Sequence, residues 1–142
     1  MVPAMRTLHV GLRVSDLERS LAFCTAVGYT VAGTVQGTAF GSLSMLQLPG
    51  RSVCHHRAGF TTRREVQTAS ASASITLSSR SNRWDATLAD LAASGIAAER
   101  PALPGGADGP RISWITDPDG YRIEPVQWSA GHADGITKAD FA

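Results

Sequence analysis

The sequence predicts an α+β protein made of two copies of one unit, each a strand, a helix and about three further strands. Three observations lead to this fold class: an internal repeat, a strand-then-helix pattern in both copies, and a hairpin near the end of the chain. The repeat is clearest in "SLAFCTAVG" and "TLADLAASG", whose shared leucine, alanine and glycine positions are separated by one constant offset. Gly28 and Gly95 define that offset as 67 residues.

The composition is that of one domain with an apolar core. The chain has 142 residues, 43% of them hydrophobic, and a net charge of +1, so it offers no strong field to nucleic acid or to an acidic membrane surface. The first six residues are too short for a signal peptide, and no apolar run reaches the length of a membrane span. We therefore expect a cytoplasmic protein. Cys24 and Cys54 have neither metal-site nor disulfide spacing and are expected to be thiols.

The first copy opens with a strand that has one apolar face. In "TLHVGLRV" the leucines and valines alternate with other residues at the two-residue period of a strand. His9 and Arg13 therefore share the opposite face. Both are candidate site residues, because polar residues on one strand face can line a binding site.

A helix and further strands complete the first copy. Ser15 and Glu18 have the spacing of a capping box, which predicts that a helix begins there, and Gly28 is the predicted end of this helix. Glycine-rich, strand-like segments follow, the last of them around residues 53–57. We place this module at about residues 7–58.

The second copy repeats this order over about residues 72–128. A strand carries Ile75 and Leu77, and a helix is predicted from about Trp84 to Ser94. "RISWIT" and "YRIEPVQW" form a hairpin joined by Asp-Pro-Asp-Gly, in which proline and glycine suit the second and fourth positions of a type I turn. Residues 129–142 are predicted to be a polar tail.

Two stretches of the sequence resemble one known family. "TLHVGLRVSDLERSLAF" and "WITDPDGYRIEPVQW" are similar to the two ends of vicinal oxygen chelate proteins, the superfamily of glyoxalase I, fosfomycin-resistance enzymes, extradiol dioxygenases and bleomycin-resistance proteins. The resemblance covers residues 7–128 as a single domain. It implies two βαβββ modules that form a curved mixed sheet, a half-open barrel around a cleft. It also implies a homodimer, because small relatives commonly pair.

The resemblance further implies a metal site with four positions, one on the first and one on the last strand of each module. His9 matches the first-strand position of module one, and Glu124 matches the last-strand position of module two. Glu124 would be both metal ligand and catalytic base. The alternatives are a strand histidine satisfied by a hydrogen bond, and a surface carboxylate paired with Arg122.

The other two positions depart from the family pattern. In "SVCHHRA" the expected glutamate is missing, and His55 or His56 is nearest to its place. Strand alternation allows only one of these histidines to face the cleft, and His55 is taken as the third metal ligand. In module two the expected histidine is missing, and Ser74 is the nearest match. The implied cofactor is one divalent metal ion, which is zinc, nickel, iron or manganese.

Both departures fall within residues 54–84, where the composition shifts to serine, alanine, threonine and arginine. Suitable codons for this segment, read in the two other frames, encode the missing glutamate, the missing histidine and an ordinary strand in place of "SSRSNRW". We therefore hold the hypothesis that the segment is frame-shifted, which sequencing of the gene decides. The alternative is a divergent, partly disordered insertion.

Two classes of function remain open. The first is a metal-dependent enzyme similar to lactoylglutathione lyase, which acts on a small carbonyl or hemithioacetal substrate through an enediolate. The second is a metal-free, bleomycin-resistance-type protein that sequesters a small aromatic ligand; a dioxygenase-like member is a further alternative. Substrate binding is assigned to Arg13, Trp114 and Arg122. Trp128 and Tyr121 are further aromatic candidates for the binding protein.

Overall fold

The computed structural model describes residues 9–38, 41–48, 57–62, 74–79 and 83–132, with the backbone alone for residues 9, 10, 38, 57–62 and 74–79. The chain divides into two compact units, Met1–Ala69 and Ser70–Ala142. No helix within the described ranges is long and apolar enough to cross a membrane.

The first unit has the predicted order of strand, helix and three strands. Its elements are β1 (His9–Val14), α1 (Leu17–Val27), β2 (Thr30–Thr38), β3 (Gly41–Gln47) and β4 (Arg57–Thr62). The strands form one sheet in the order β1-β4-β3-β2, in which β1 and β4 are parallel and the other pairs are antiparallel. Strand β1, which carries His9, and β4, the last strand of this unit, are therefore neighbours.

Helix α1 shows how local sequence sets the ends of an element. Its N-cap is Asp16, whose side chain accepts a hydrogen bond of 3.0 Å from the backbone N–H of Arg19, so the predicted Ser15 cap is wrong by one residue. Gly28 ends the helix with φ 112°, a left-handed conformation that costs glycine little. The following Tyr29 N–H donates to the Cys24 carbonyl and closes the last turn.

The core of the first unit follows the predicted alternation of β1. Leu12 and Val14 are buried, while Arg13 between them is exposed. The remaining buried apolar residues come from α1, the segment after it and β3: Phe23, Cys24, Tyr29 and Leu46. Burial, with a smaller contribution from Cys24, raises the pKa of Tyr29 to about 12, so its phenol is neutral at physiological pH.

The second unit has β5 (Ser74–Ser79), α2 (Trp84–Ala93), β6 (Arg111–Ile112), β7 (Ile115–Thr116) and β8 (Arg122–Gln127). Strand β8 lies between its partners, parallel to β5 on one side and antiparallel to β6 and β7 on the other. The buried apolar residues described in the second unit are Trp84, Leu91, Ile96, Ile115, Ile123 and Val126.

Pro125 lies in this central strand, although proline is expected at an edge or a bulge. The Ser113 N–H donates to the Pro125 carbonyl at 3.1 Å, but proline has no N–H to return. The partner segment is interrupted at this place, because β6 ends at Ile112 and β7 begins at Ile115. The missing donor therefore explains why the predicted strand "RISWIT" is two short strands held in one register.

The offset of 67 residues seen in the sequence is also present in the backbone. Helices α1 and α2 begin at Leu17 and Trp84, and Gly28 and Gly95 follow them with positive φ. The strand registers agree as well: His9 pairs with Arg57 in the first unit, and Thr76 pairs with Glu124 in the second. The structural counterparts are therefore His9 with Thr76, and Arg57 with Glu124.

Candidate functional site

Three of the predicted site residues meet on one face of the second sheet. Thr116 pairs with Arg122 and Ile115 with Ile123, and the hydrogen bond from Ser113 to Pro125 continues the same register. Trp114 is therefore opposite Glu124. Because residues opposite each other in antiparallel strands project from the same face, Trp114 and Glu124 are neighbours there.

Arg122 covers the ring of Trp114. Its guanidinium carbon lies 4.5 Å from the ring centroid, which is a cation–π contact. Arg122 and Glu124 are two positions apart in β8 and share a face, about 7 Å apart along the strand. Trp114 and Glu124 are half-buried, and Arg122 is exposed. The face thus carries an aromatic ring, a cation and a carboxylate.

Glu99 completes this cluster and was missed by sequence reasoning. The Arg122 Nη2 donates to Glu99 Oε1 at 2.6 Å. The Glu99 backbone N–H donates to the Trp114 carbonyl at 2.8 Å, and the Ser113 hydroxyl donates to the Glu99 carbonyl at 2.7 Å. Glu99 lies in a segment without strand or helix period, so no pattern in the sequence connects it with Arg122. The two side chains are 50% and 56% exposed, and such a pair typically contributes at most about 1 kcal/mol.

The turn before β8 fixes where this face begins. Asp117 is 7% exposed, and its Oδ1 accepts hydrogen bonds from the backbone N–H groups of Asp119 at 2.9 Å and Tyr121 at 2.7 Å. The Gly120 N–H donates to the Asp117 carbonyl at 3.1 Å, the bond expected across the predicted turn. Burial raises the pKa of Asp117, against the opposing effect of the backbone hydrogen bonds. This turn starts β8 immediately before Arg122 and Glu124.

The predicted residues of the first unit are only partly described. His9 lies in β1 opposite Arg57, with its backbone alone described, and Arg13 is exposed on the same strand. His55 and His56 lie outside the described residues, so their assignment as ligands stays a prediction.

The register gives a second set of matches beside the sequence-based ones. The counterpart of Glu124 is Arg57, a position beyond the two histidines, and the counterpart of His9 is Thr76 rather than Ser74, which pairs with Arg122. Strand alternation fixes which face a residue occupies but not its register, so the two sets of matches differ. Applying the offset of 67 residues to His9 and Glu124 gives Thr76 and Arg57 directly.

The sequence profile of the Glyoxalase/Bleomycin resistance protein/Dioxygenase superfamily matches residues 6–124. The chain belongs to this superfamily. Both the family suggested by the sequence motifs and the predicted α+β fold of glyoxalase type are thereby confirmed. A search of curated proteins found no match for this superfamily member.

Solved structures with the same fold include proteins of different activities. TnmS3, an antibiotic binding protein from Streptomyces sp. CB03234, is 20% identical with a TM-score of 0.72, over 91% of this chain and all of that one. Glyoxalase I of Leishmania major is 22% identical with a TM-score of 0.65, over 87% of each chain. A bleomycin resistance determinant encoded on the transposon Tn5 is 17% identical with a TM-score of 0.60, over 87% of this chain and 98% of that one. At these identities the likeness shows the fold alone.

Superfamily members often use a divalent metal, so we tested whether the donor residues of this chain fit one. Taken by register, the two strand pairs carry His9 with Arg57 and Thr76 with Glu124. Arginine offers donors and no lone pair for a metal, and a threonine hydroxyl is a poor ligand. Within the described ranges, no three histidine, cysteine, aspartate or glutamate residues form a cluster that could hold a metal ion. The donor set therefore does not fit a metal held at these four positions.

Proposed function

We propose that this superfamily member is a small-molecule-binding protein that takes up its ligand without a metal ion. The observation that carries the proposal is the register, which supports Arg57 and Thr76 as the occupants of two positions where a metal-dependent member needs ligands. Arginine carries a permanent positive charge, and at the position paired with His9 this charge opposes the binding of a divalent cation. We therefore prefer the metal-free binding protein to the metal-dependent enzyme.

The cluster on β8 supplies a binding surface for such a ligand. Trp114 is half-buried and has a cation over its ring, so it offers both apolar area and a charged neighbour. A few polar groups around an aromatic surface are typical of small-molecule sites. Two proteins with this fold are described as an antibiotic binding protein and a bleomycin resistance determinant, which makes a sequestering role compatible with the fold.

A glyoxalase-type lyase remains the second candidate, because His9 and Glu124 are both retained at the expected positions. Glyoxalase I of Leishmania major has the same fold. This function would need zinc, nickel, iron or manganese and a third ligand, for which His55 is the prediction. No observation on the described residues favours a dioxygenase-like member.

Metal retention and ligand binding separate the two functions. After saturation with zinc or nickel and desalting, we expect the protein to keep much less than one equivalent of metal. Calorimetric titration with 2-naphthol, a neutral aromatic probe, should show binding that is equal with and without EDTA and weaker in Trp114→Ala. Retention of about one equivalent of metal, lost in His9→Ala and Glu124→Ala but kept in the control His132→Ala, would instead establish the metal-dependent function.

We also propose that the protein is a homodimer. Strand β2 ends the strand order of its sheet, its nine residues carry no charge, and Val31 and Val35 on it are 49% and 54% exposed. Uncharged, exposed edge strands tend to pair with another chain. Sedimentation equilibrium at micromolar concentration should give the dimer mass, shifting toward the monomer in Val31→Lys/Val35→Lys but not in Ala22→Lys on the exposed side of α1. A wild-type monomer would contradict the proposal.

A further inference from the structure

We infer that Arg122 binds the carboxylate of a small organic acid, and that Glu99 occupies the same guanidinium until the ligand displaces it. The inference rests on the proposed function for one point only, that a small ligand lies on the face of β8 that carries Trp114. It adds the chemical class of that ligand, a monocarboxylic acid with a flat apolar body, and a role for Glu99.

The first argument is the geometry around Arg122. The guanidinium carbon lies over the Trp114 ring, 4.5 Å from its centroid, so the ring supports the cation without using its N–H donors. A guanidinium carries five N–H donors, and the bond to Glu99 uses one of them. The Glu99 carboxylate therefore occupies the position at Arg122 that a ligand carboxylate would take.

The second argument is that this internal pair is readily exchanged. Both side chains are half-exposed, at 50% and 56%, so water competes for them and the pair is weak. A ligand carboxylate that makes two parallel N–H···O bonds with the fork of Arg122 forms the stronger contact.

The backbone of Glu99 is held independently of its carboxylate. Its N–H donates to the Trp114 carbonyl and its carbonyl accepts from the Ser113 hydroxyl. The Glu99 side chain can therefore rotate away while the segment stays in place. Displacement of Glu99 by a ligand requires no change in the strand.

A second arginine–carboxylate pair beside a tryptophan serves as a contrast. Arg111 Nη2 bonds Asp85 Oδ1 at 3.0 Å, and its guanidinium carbon lies 5.8 Å from the ring centroid of Trp84. Trp84 is 3% exposed, so its ring offers no surface to a ligand. Asp85 lies in the first turn of α2 and Arg111 in β6, so this pair joins two elements of the unit. The second pair is structural and provides matched control substitutions.

The charges near Arg122 limit the ligand to one carboxylate. Glu124 shares the face of Arg122, about 7 Å along the strand. A second negative charge on the ligand would approach the carboxylate of Glu124 and be repelled. The apolar body of the acid lies instead against Trp114, which is half-buried and opposite Glu124.

The test is calorimetric titration with benzoate and with its neutral isostere benzamide, in excess EDTA. Wild type should bind benzoate more tightly than benzamide. Arg122→Gln should weaken benzoate binding about tenfold or more, the loss of a charge-assisted pair, and should weaken benzamide binding less, since the neutral amide loses no ion pair. Glu99→Gln should strengthen benzoate binding, because the competing carboxylate is gone. The control variants Arg111→Gln and Asp85→Asn should bind benzoate as wild type does.

Equal benzoate affinity in wild type and folded Arg122→Gln would overturn the inference, and so would weaker binding in Glu99→Gln. Circular dichroism establishes the folding of each variant, and Arg122→Lys, which keeps the charge without the fork, gives a second measure with an intermediate loss expected. The two proposals fail in different ways. If only the role of Arg122 is wrong, the protein still binds 2-naphthol in EDTA but shows no preference for benzoate that depends on Arg122. If the proposed function is wrong, the protein retains metal after desalting.

Discussion

Replacing Arg57 with glutamate and Thr76 with histidine in the same chain should produce a protein that retains a divalent metal ion through desalting. The register places residue 57 opposite His9 and residue 76 opposite Glu124. The double variant would thus carry histidine and glutamate at all four positions that the family pattern implies. Removing a residue that only hydrogen-bonds to a metal ligand typically lowers metal affinity by up to about 100-fold. The two new residues would bind the metal directly, so we expect metal affinity to rise by more than about 100-fold.

Calorimetric titration with zinc and nickel measures this gain. The matched control is Arg57→Gln/Thr76→Ser, which removes the cation without adding strong ligands and should bind far less metal. Adding His9→Ala to the double variant should abolish most of the gain. If the double variant binds no more metal than its control, the equivalence of positions 57 and 76 with the family's ligand positions is wrong.

Asp117→Ala should lower the free energy of unfolding by roughly 2–4 kcal/mol, because the backbone N–H groups of Asp119 and Tyr121 lose their acceptor in a buried turn. Asp117→Asn keeps an oxygen acceptor of the same shape and should lose much less. Urea denaturation followed by circular dichroism gives both values. Equal losses in the two variants would show that the hydrogen bonds of this side chain do not hold the turn.

The same residue should give a pH dependence of known sign. Burial raises the pKa of Asp117 above its ordinary value of 3.8, so the folded state holds this proton more tightly than the unfolded state does. The stabilisation that follows is fully present below pH 3.8 and is lost as the pH rises through the folded-state pKa. Asp117→Asn lacks this titration, so its stability relative to wild type should increase from acid to neutral pH. The opposite slope would contradict the direction of the shift.

Much of the fold was predictable because it depends on local patterns. The alternation in β1 and the glycines that end the helices act within a few residues of chain, and the repeat showed that one unit occurs twice. The N-cap was displaced because serine and aspartate are equally good caps, and Asp16 rather than Ser15 has the geometry to accept from the Arg19 N–H. Pro125 lies in a central strand because its neighbour is interrupted there, which no local pattern predicts.

The candidate site was predictable only where alternation sufficed. Trp114, Arg122 and Glu124 follow from strand faces and the hairpin. Glu99 reaches Arg122 through an irregular segment, so its position depends on tertiary structure alone. The counterparts of His9 and Glu124 required the register between strands that are distant in the sequence, for which the repeat offset was the available signal.

The register also bears on the frame-shift hypothesis. With the codons CGA GCT for Arg57 and Ala58, a reading one base later contains GAG, which encodes glutamate. With ATC ACC for Ile75 and Thr76, a reading one base earlier contains CAC, which encodes histidine. These are the two positions that the backbone pairs with His9 and Glu124. With these codons, the other frames give glutamate and histidine at the two positions whose register partners are His9 and Glu124.

The first turn of α2 is where local unfolding of the second unit should begin. Arg83 occupies the N-cap position and its side chain makes no capping hydrogen bond, whereas the Asp16 side chain caps α1. The Arg83 cation at this end opposes the helix dipole, an effect that Asp85 in the first turn offsets. The buried indole N–H of Trp84, the first residue of α2, has no hydrogen-bond partner among the described residues, which adds a desolvation cost. Local fluctuations should therefore begin in the first turn of α2, where amide hydrogens exchange with solvent sooner than those of α1.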